Sequence, residues 1–130
     1  MLNYWTSSNR KFGGFADDQY YLPSLDEVKS FHEQNPIQHA PELNEGFDCD
    51  DFSFVYKGMI SLYGRNEIQQ QGSLCVGIAW GHFAWRNEYH ACNWFLDENF
   101  NVFWIEPQDE VDIAIKGLDE CEGGLTLVLV

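Results

Sequence analysis

The chain has 130 residues, of which 45% are hydrophobic and 16% aromatic, with a net charge of −14. The length argues for one domain over residues 1–130, since two cores would each be marginal, and the aromatic content excludes a disordered chain. Seven Lys and Arg against 21 Asp and Glu give a surface that repels phosphate backbones, which excludes nucleic acid as a partner.

No apolar run approaches the roughly 20 residues that a membrane helix needs, so no membrane partner is expected. The first residues, MLNYWTSSNRKFGG, hold no apolar core of signal-peptide length. The cytoplasm is therefore the default expectation for compartment.

Residues 1–22 are rich in Gly, Tyr and polar side chains and read as irregular. After Pro23, Ser24 and Glu27 have the spacing of a capping box. Leu25, Val28, Phe31 and His32 then share one helical face, and Asn35-Pro36 ends that helix. Residues 35–47, with Pro36, Pro41 and Gly46, read as a loop.

A second helix is expected from Cys49 to Tyr63, with Gly64 as its stop. Phe52, Val55, Tyr56, Met59, Ile60, Leu62 and Tyr63 cover most of its circumference, which predicts burial all round. Gly58 in its middle suggests a close approach by another element. Asp48, Asp50 and Asp51 crowd the first turn, where the positive end of the helix dipole favours anions.

Beyond Gly72 the period changes to two. Leu74, Val76, Ile78 and Trp80 alternate with Cys75, Gly77, Ala79 and Gly81, the pattern of a strand. Residues 88–96 and 102–106 read as a hairpin around Asp97–Asn101, and Leu125–Val130 as a last strand. The segment Glu110–Glu122 has no clear pattern. Helix, buried helix and antiparallel strands make an α+β class.

The four cysteines, Cys49, Cys75, Cys92 and Cys121, contain no CxxC pair and do not have zinc-finger spacing. Cys49 differs from the others because it opens the predicted buried helix, where a thiolate is favoured. A thiol nucleophile needs a base, and the base needs an orienting group. His90 lies on one predicted hairpin strand and Glu106 at the end of the other. An even register places them on the same face, opposite or one diagonal apart. Packing of a small cysteine and a surface His–Glu pair are the plainer readings of the same residues. Trp80, Trp85, Trp94 and Trp104 are expected mainly as core, His82 as a loop residue and Cys92 as a buried thiol.

The stretch Phe47-Asp48-Cys49-Asp50-Asp51-Phe52 resembles the signature of bacterial transglutaminase-like cysteine proteinases. The order Cys49, His90, Glu106 is similar to that of the papain-like protease domain of the Marasmius oreades agglutinin. In this chain His90 follows Cys49 by 41 residues and Glu106 follows His90 by 16. The resemblance covers about residues 45–110. It implies a papain-like or transglutaminase-like fold, with a buried helix packed on an antiparallel sheet. It implies a cysteine hydrolase, a peptidase or amidase with Cys49 as nucleophile, His90 as general base and Glu106 as orienting acid. A peptide or protein would be the substrate.

It also implies calcium dependence, with Asp50 and Asp51 among the ligands. Such a cation would offset the carboxylates that oppose a thiolate at Cys49. Plain helix capping by Asp48 and Asp51 accounts for the same acids. The glutamine that papain-like enzymes place before the cysteine has no match here; Gln38 and Asn44 are the nearest amides. Two other functions fit the sequence. One is a non-enzymatic acidic interaction or inhibitor protein with a degenerate thiol-enzyme fold, a component of a larger assembly. The other is a transglutaminase-type acyltransferase using the same residues.

Overall fold

The computed structural model describes residues 11–12, 20–35, 37, 48–68, 73–83, 88–117 and 124–130. In chain order the elements are β1 (Lys11–Phe12), β2 (Tyr20–Tyr21), α1 (Leu25–Gln34), α2 (Cys49–Tyr63), β3 (Ser73–Leu74) and β4 (Val76–Phe83). They continue with β5 (Glu88–Leu96), β6 (Val102–Ile105), α3 (Val111–Ala114), β7 (Ile115–Gly117) and β8 (Gly124–Leu129). The coarse α+β class holds. A six-stranded sheet runs β1-β8-β4-β5-β6-β7, antiparallel except for the β1–β8 pair, and β2 with β3 forms a small parallel pair.

The expected punctuation of α1 is present. Ser24 Oγ accepts from the Glu27 amide at 3.1 Å, Glu27 Oε1 accepts from the Ser24 amide at 2.9 Å, and Asn35 caps the far end. Val28, Phe31 and His32 of the predicted face are buried.

α2 runs over the expected residues but ends differently. Gly64 is right-handed helical rather than left-handed, and the chain continues into a π-helical turn, Gly64–Ile68. Burial of α2 is also one-sided. Phe52, Tyr56 and Ile60 are buried, whereas Phe54 and Leu62 are about half exposed. A helix lying on one sheet has only one contact side, so apolar residues elsewhere on its circumference face solvent. Gly58 sits on the open side, and a Cβ there would meet nothing within 4 Å, so no close approach explains it.

The hairpin forms with the predicted turn. Asp97 Oδ1 accepts from the amides of Asn99 and Asn101 at 3.0 and 2.8 Å, and Phe100 takes a positive φ of 63°. The turn is closed by its own side chain. Pairing of Trp94 with Trp104 and Asn93 with Ile105 sets the register.

Trp94 and Trp104 join Ala79, Phe83 and Cys92 in one apolar cluster. Tyr56, Ile60, Val28 and Phe31 of the helices join Val76, Phe95 and Ile105 in another. Asn93 ties helix to sheet, its Nδ2 donating to the carbonyls of Ser53 (3.0 Å) and Gly77 (3.1 Å). The early strands β1 and β2 fall where the sequence reads as irregular, because their partners are distant β8 and β3. The unclear segment supplies α3 and β7; residues 118–122 lie outside the described residues.

Candidate functional site

The site is built from the first residue of α2 and the β5–β6 hairpin. Cys49 is the first helical residue, partly exposed, and carries a free thiol. Its amide belongs to the first turn, whose N–H groups have no acceptor inside the helix. The hairpin register, continued one residue beyond β6, sets Glu106 opposite Cys92, one diagonal from His90. His90 Nε2 and Glu106 Oε2 meet at 2.5 Å, and both residues are buried. Cys49 hydrogen-bonds the same imidazole. With Nε2 engaged by Glu106, Nδ1 is the nitrogen left for the thiol.

Burial by itself would lower the His90 pKa. The hydrogen bonds to Cys49 and Glu106 and the charges of both neighbours outweigh it and raise the pKa from 6.5 to about 9. The ring is therefore held as an imidazolium at neutral pH, facing sulfur on one side and carboxylate on the other. A carboxylate paired in this way fixes both the ring orientation and its proton.

Asp48, Asp50 and Asp51 surround the helix start. Asp51 Oδ2 accepts from the Asp48 amide at 3.2 Å within a capping box. The three carboxylates each offer an oxygen within 4.8 Å of the others. Hydrogen bonding to Asp50, partial burial and the charges of Asp50 and Asp51 raise the Asp48 pKa from 3.8 to about 6.

Other predicted residues lie apart from this centre. Cys75 and Cys92 are buried, and burial raises the Cys75 thiol. His82 is exposed against Tyr89. Gln38, Asn44, Trp85 and Cys121 lie outside the described residues. Sequence reasoning passed over two residues that the site uses. Asn93, the residue after Cys92, anchors α2 one turn from Cys49. His32, placed only as part of an apolar helix face, bonds into the turn that follows Glu106.

The family model described as Agglutinin C-terminal matches residues 20–111, more than two thirds of the chain. The chain belongs to that family. Two solved structures share its fold. One, described as a PSL1a–E64 complex, is 25% identical with a TM-score of 0.76, over 95% of this chain and 44% of that one. The other is Polyporus squamosus lectin bound to the human-type influenza-binding epitope Neu5Aca2-6Galb1-4GlcNAc. It is 25% identical with a TM-score of 0.71, over 93% of this chain and 42% of that one. The agglutinin domain thus spans less than half the length of the structures it matches. No curated protein matches the sequence.

These findings correct the expectation drawn from the Phe47–Phe52 signature. The family is the agglutinin C-terminal family rather than the papain-like or transglutaminase-like cysteine peptidases, and a matched structure is a named lectin. The hydrolase reading falls with that assignment. The signature misled because a Cys-Asp-Asp helix start is a local solution for capping and thiol placement, and function resides in sites rather than in folds or short motifs.

Proposed function

We propose that the chain is a ligand-binding domain of an agglutinin-type, carbohydrate-binding protein, with its own binding centre at the start of α2. This reading follows the acidic interaction-protein alternative. The observation that carries it is the buried His90–Glu106 pair hydrogen-bonded to the one partly exposed thiol among the described cysteines.

In this reading Cys49 is the nucleophilic atom, His90 holds its proton and Glu106 orients the ring. The Cys49 amide, in the first turn of α2, would donate to a ligand oxygen. A strained electrophilic ring opened by Sγ leaves its electron pair on the ring heteroatom, the imidazolium supplies the proton, and the ligand stays bound to sulfur without turnover. The PSL1a structure contains E64, so E64 is the first ligand to try. Recognition of the sialylated epitope belongs, in this proposal, to the whole agglutinin, of which this domain is one part.

The helix start also fits a hard cation. Its donors are all carboxylate oxygens, as calcium prefers. Asp48 Oδ1 is buried without a hydrogen-bond partner, so one donor position stands open. Asp50 and Asp51, with Asp48, would hold calcium there, and its positive charge would favour a thiolate at Cys49.

The test is residue-resolved iodoacetamide labelling of the folded protein, followed by intact mass after incubation with E64. Cys49 should label faster than Cys75 and Cys92, and E64 should block it. Millimolar calcium should raise the melting temperature of the parent but not of Asp50→Asn. Labelling of Cys49 at the rate of the buried cysteines, with no effect of E64, would remove the proposed centre.

A further inference from the structure

The hydrogen bonds around Glu106 extend well beyond the hairpin. Its amide donates to the Ala114 carbonyl at 2.8 Å, and its own carbonyl accepts from the Asp109 amide at 3.2 Å. Its Oε1 accepts from the Gln108 amide at 3.3 Å, while Oε2 faces His90. The carboxylate is thus aimed by the turn of residues 106–109. That turn is held in place from α1. His32, fully buried, brings Nε2 to 2.6 Å from the Asp109 carbonyl and Nδ1 to 3.0 Å from the Tyr56 hydroxyl.

The donor roles follow from chemistry. A carbonyl only accepts, so His32 Nε2 carries the proton and donates. Burial keeps the ring neutral against the raising influence of Asp109 and Glu106. Nδ1 of a neutral ring is an acceptor, so the buried Tyr56 hydroxyl donates to it. One tautomer satisfies all three groups. The hydrogen bonds of His32 named here run to Tyr56 and Asp109 and not to the thiol.

We infer that His32 and Tyr56 are positioning residues for the thiol site: they fix the Asp109 carbonyl and, through the 106–109 turn, aim the Glu106 carboxylate at His90. The inference rests on Cys49, His90 and Glu106 acting together as proposed above. Loss of the His32 donor frees the turn, lets the carboxylate drift and removes what keeps His90 charged.

The experiment compares His32→Leu, His32→Gln and Tyr56→Phe in the full chain. It follows the pH profile of Cys49 alkylation and the His90 titration by NMR, with melting temperatures alongside. His32→Leu should slow Cys49 alkylation at pH 7.5 by about tenfold and lower the His90 midpoint. His32→Gln should keep the parent profile, because its amide can donate to Asp109 and accept from Tyr56, even where its melting temperature falls. Tyr56→Phe should give an intermediate loss of roughly threefold, and it carries the test if His32→Leu does not fold. A parent-like profile in His32→Leu, or in Tyr56→Phe where the former is unfolded, overturns the inference. Failure of the thiol site shows separately, in the parent. Cys49 would then react no faster than Cys75 and be indifferent to His90→Ala, and the positioning role would fall with it.

Discussion

The two long helices begin with the same device built from different residues. At α1 a neutral Ser24 hydroxyl and the Glu27 carboxylate satisfy each other's backbone amides, and Tyr21 donates to the same carboxylate at 3.2 Å. At α2 the box is made of Asp48 and Asp51, with Asp50 added between them. The first start carries the charge that capping needs. The second carries more, and Asp48 is left holding a proton up to about pH 6. Excess like charge beside a partly exposed thiol is unfavourable for stability.

The largest expected separation is in reactivity. His90→Ala should slow Cys49 alkylation near neutral pH by roughly a hundredfold, whereas Ser24→Ala should leave it unchanged. Site-resolved labelling distinguishes these results, and a loss in Ser24→Ala would mean that the two helix starts are coupled.

In stability the order reverses. Ser24→Ala removes a cap that nothing replaces and should cost about 1 kcal/mol in chemical denaturation. Asp48→Asn should act in the opposite direction at pH 7 without added metal, because Asn caps as well as Asp and removes a like charge. The pH dependence gives the sign. The native Asp48 pKa, about 6, lies above the ordinary 3.8, so its stabilising contribution is complete below 3.8 and lost as pH rises through 6. A urea series across that window should show the parent losing stability relative to Asp48→Asn. A variant less stable than the parent at pH 7 would show that the acid is needed there.

The smallest effect concerns His90. Its pKa is raised from 6.5 to about 9, so it stabilises the fold below 6.5 and that contribution is lost as pH rises through 9. Glu106→Gln should flatten this decline and narrow the pH range of fast Cys49 labelling from its alkaline side. Thermal melts between pH 6 and 10 measure the first part and alkylation profiles the second.

Much of the local structure was legible beforehand for physical reasons that act over a few residues. Ser24 and Glu27 specify a helix start at any location, and Asp97 closes the hairpin turn with its own carboxylate. The alternation through Val76–Trp80 and the Asp97–Asn101 turn bring His90 and Glu106 to one face with no knowledge of the rest. The exposure of Phe54 and Leu62, the open space at Gly58 and the π-helical exit at Gly64 depend on which side of α2 the sheet occupies, and no helical period reports that. The peptidase assignment rested on Phe47–Phe52 and on the order of Cys49, His90 and Glu106 within residues 45–110, whereas the agglutinin match extends over residues 20–111.

By itself the sequence determined both ends of α1, the start of α2 and the Asp97–Asn101 turn, since capping and turn chemistry are short-range. Only the tertiary structure decided that β8 pairs between β1 and β4, that Asn93 holds α2 against β4, and that His32 reaches the Asp109 carbonyl. The bonds of Asn93 to Ser53 and of His32 to Asp109 join residues 40 and 77 positions apart. A buried donor takes whatever acceptor packing brings to it, and that choice is made by the assembled core rather than by neighbouring residues in the chain.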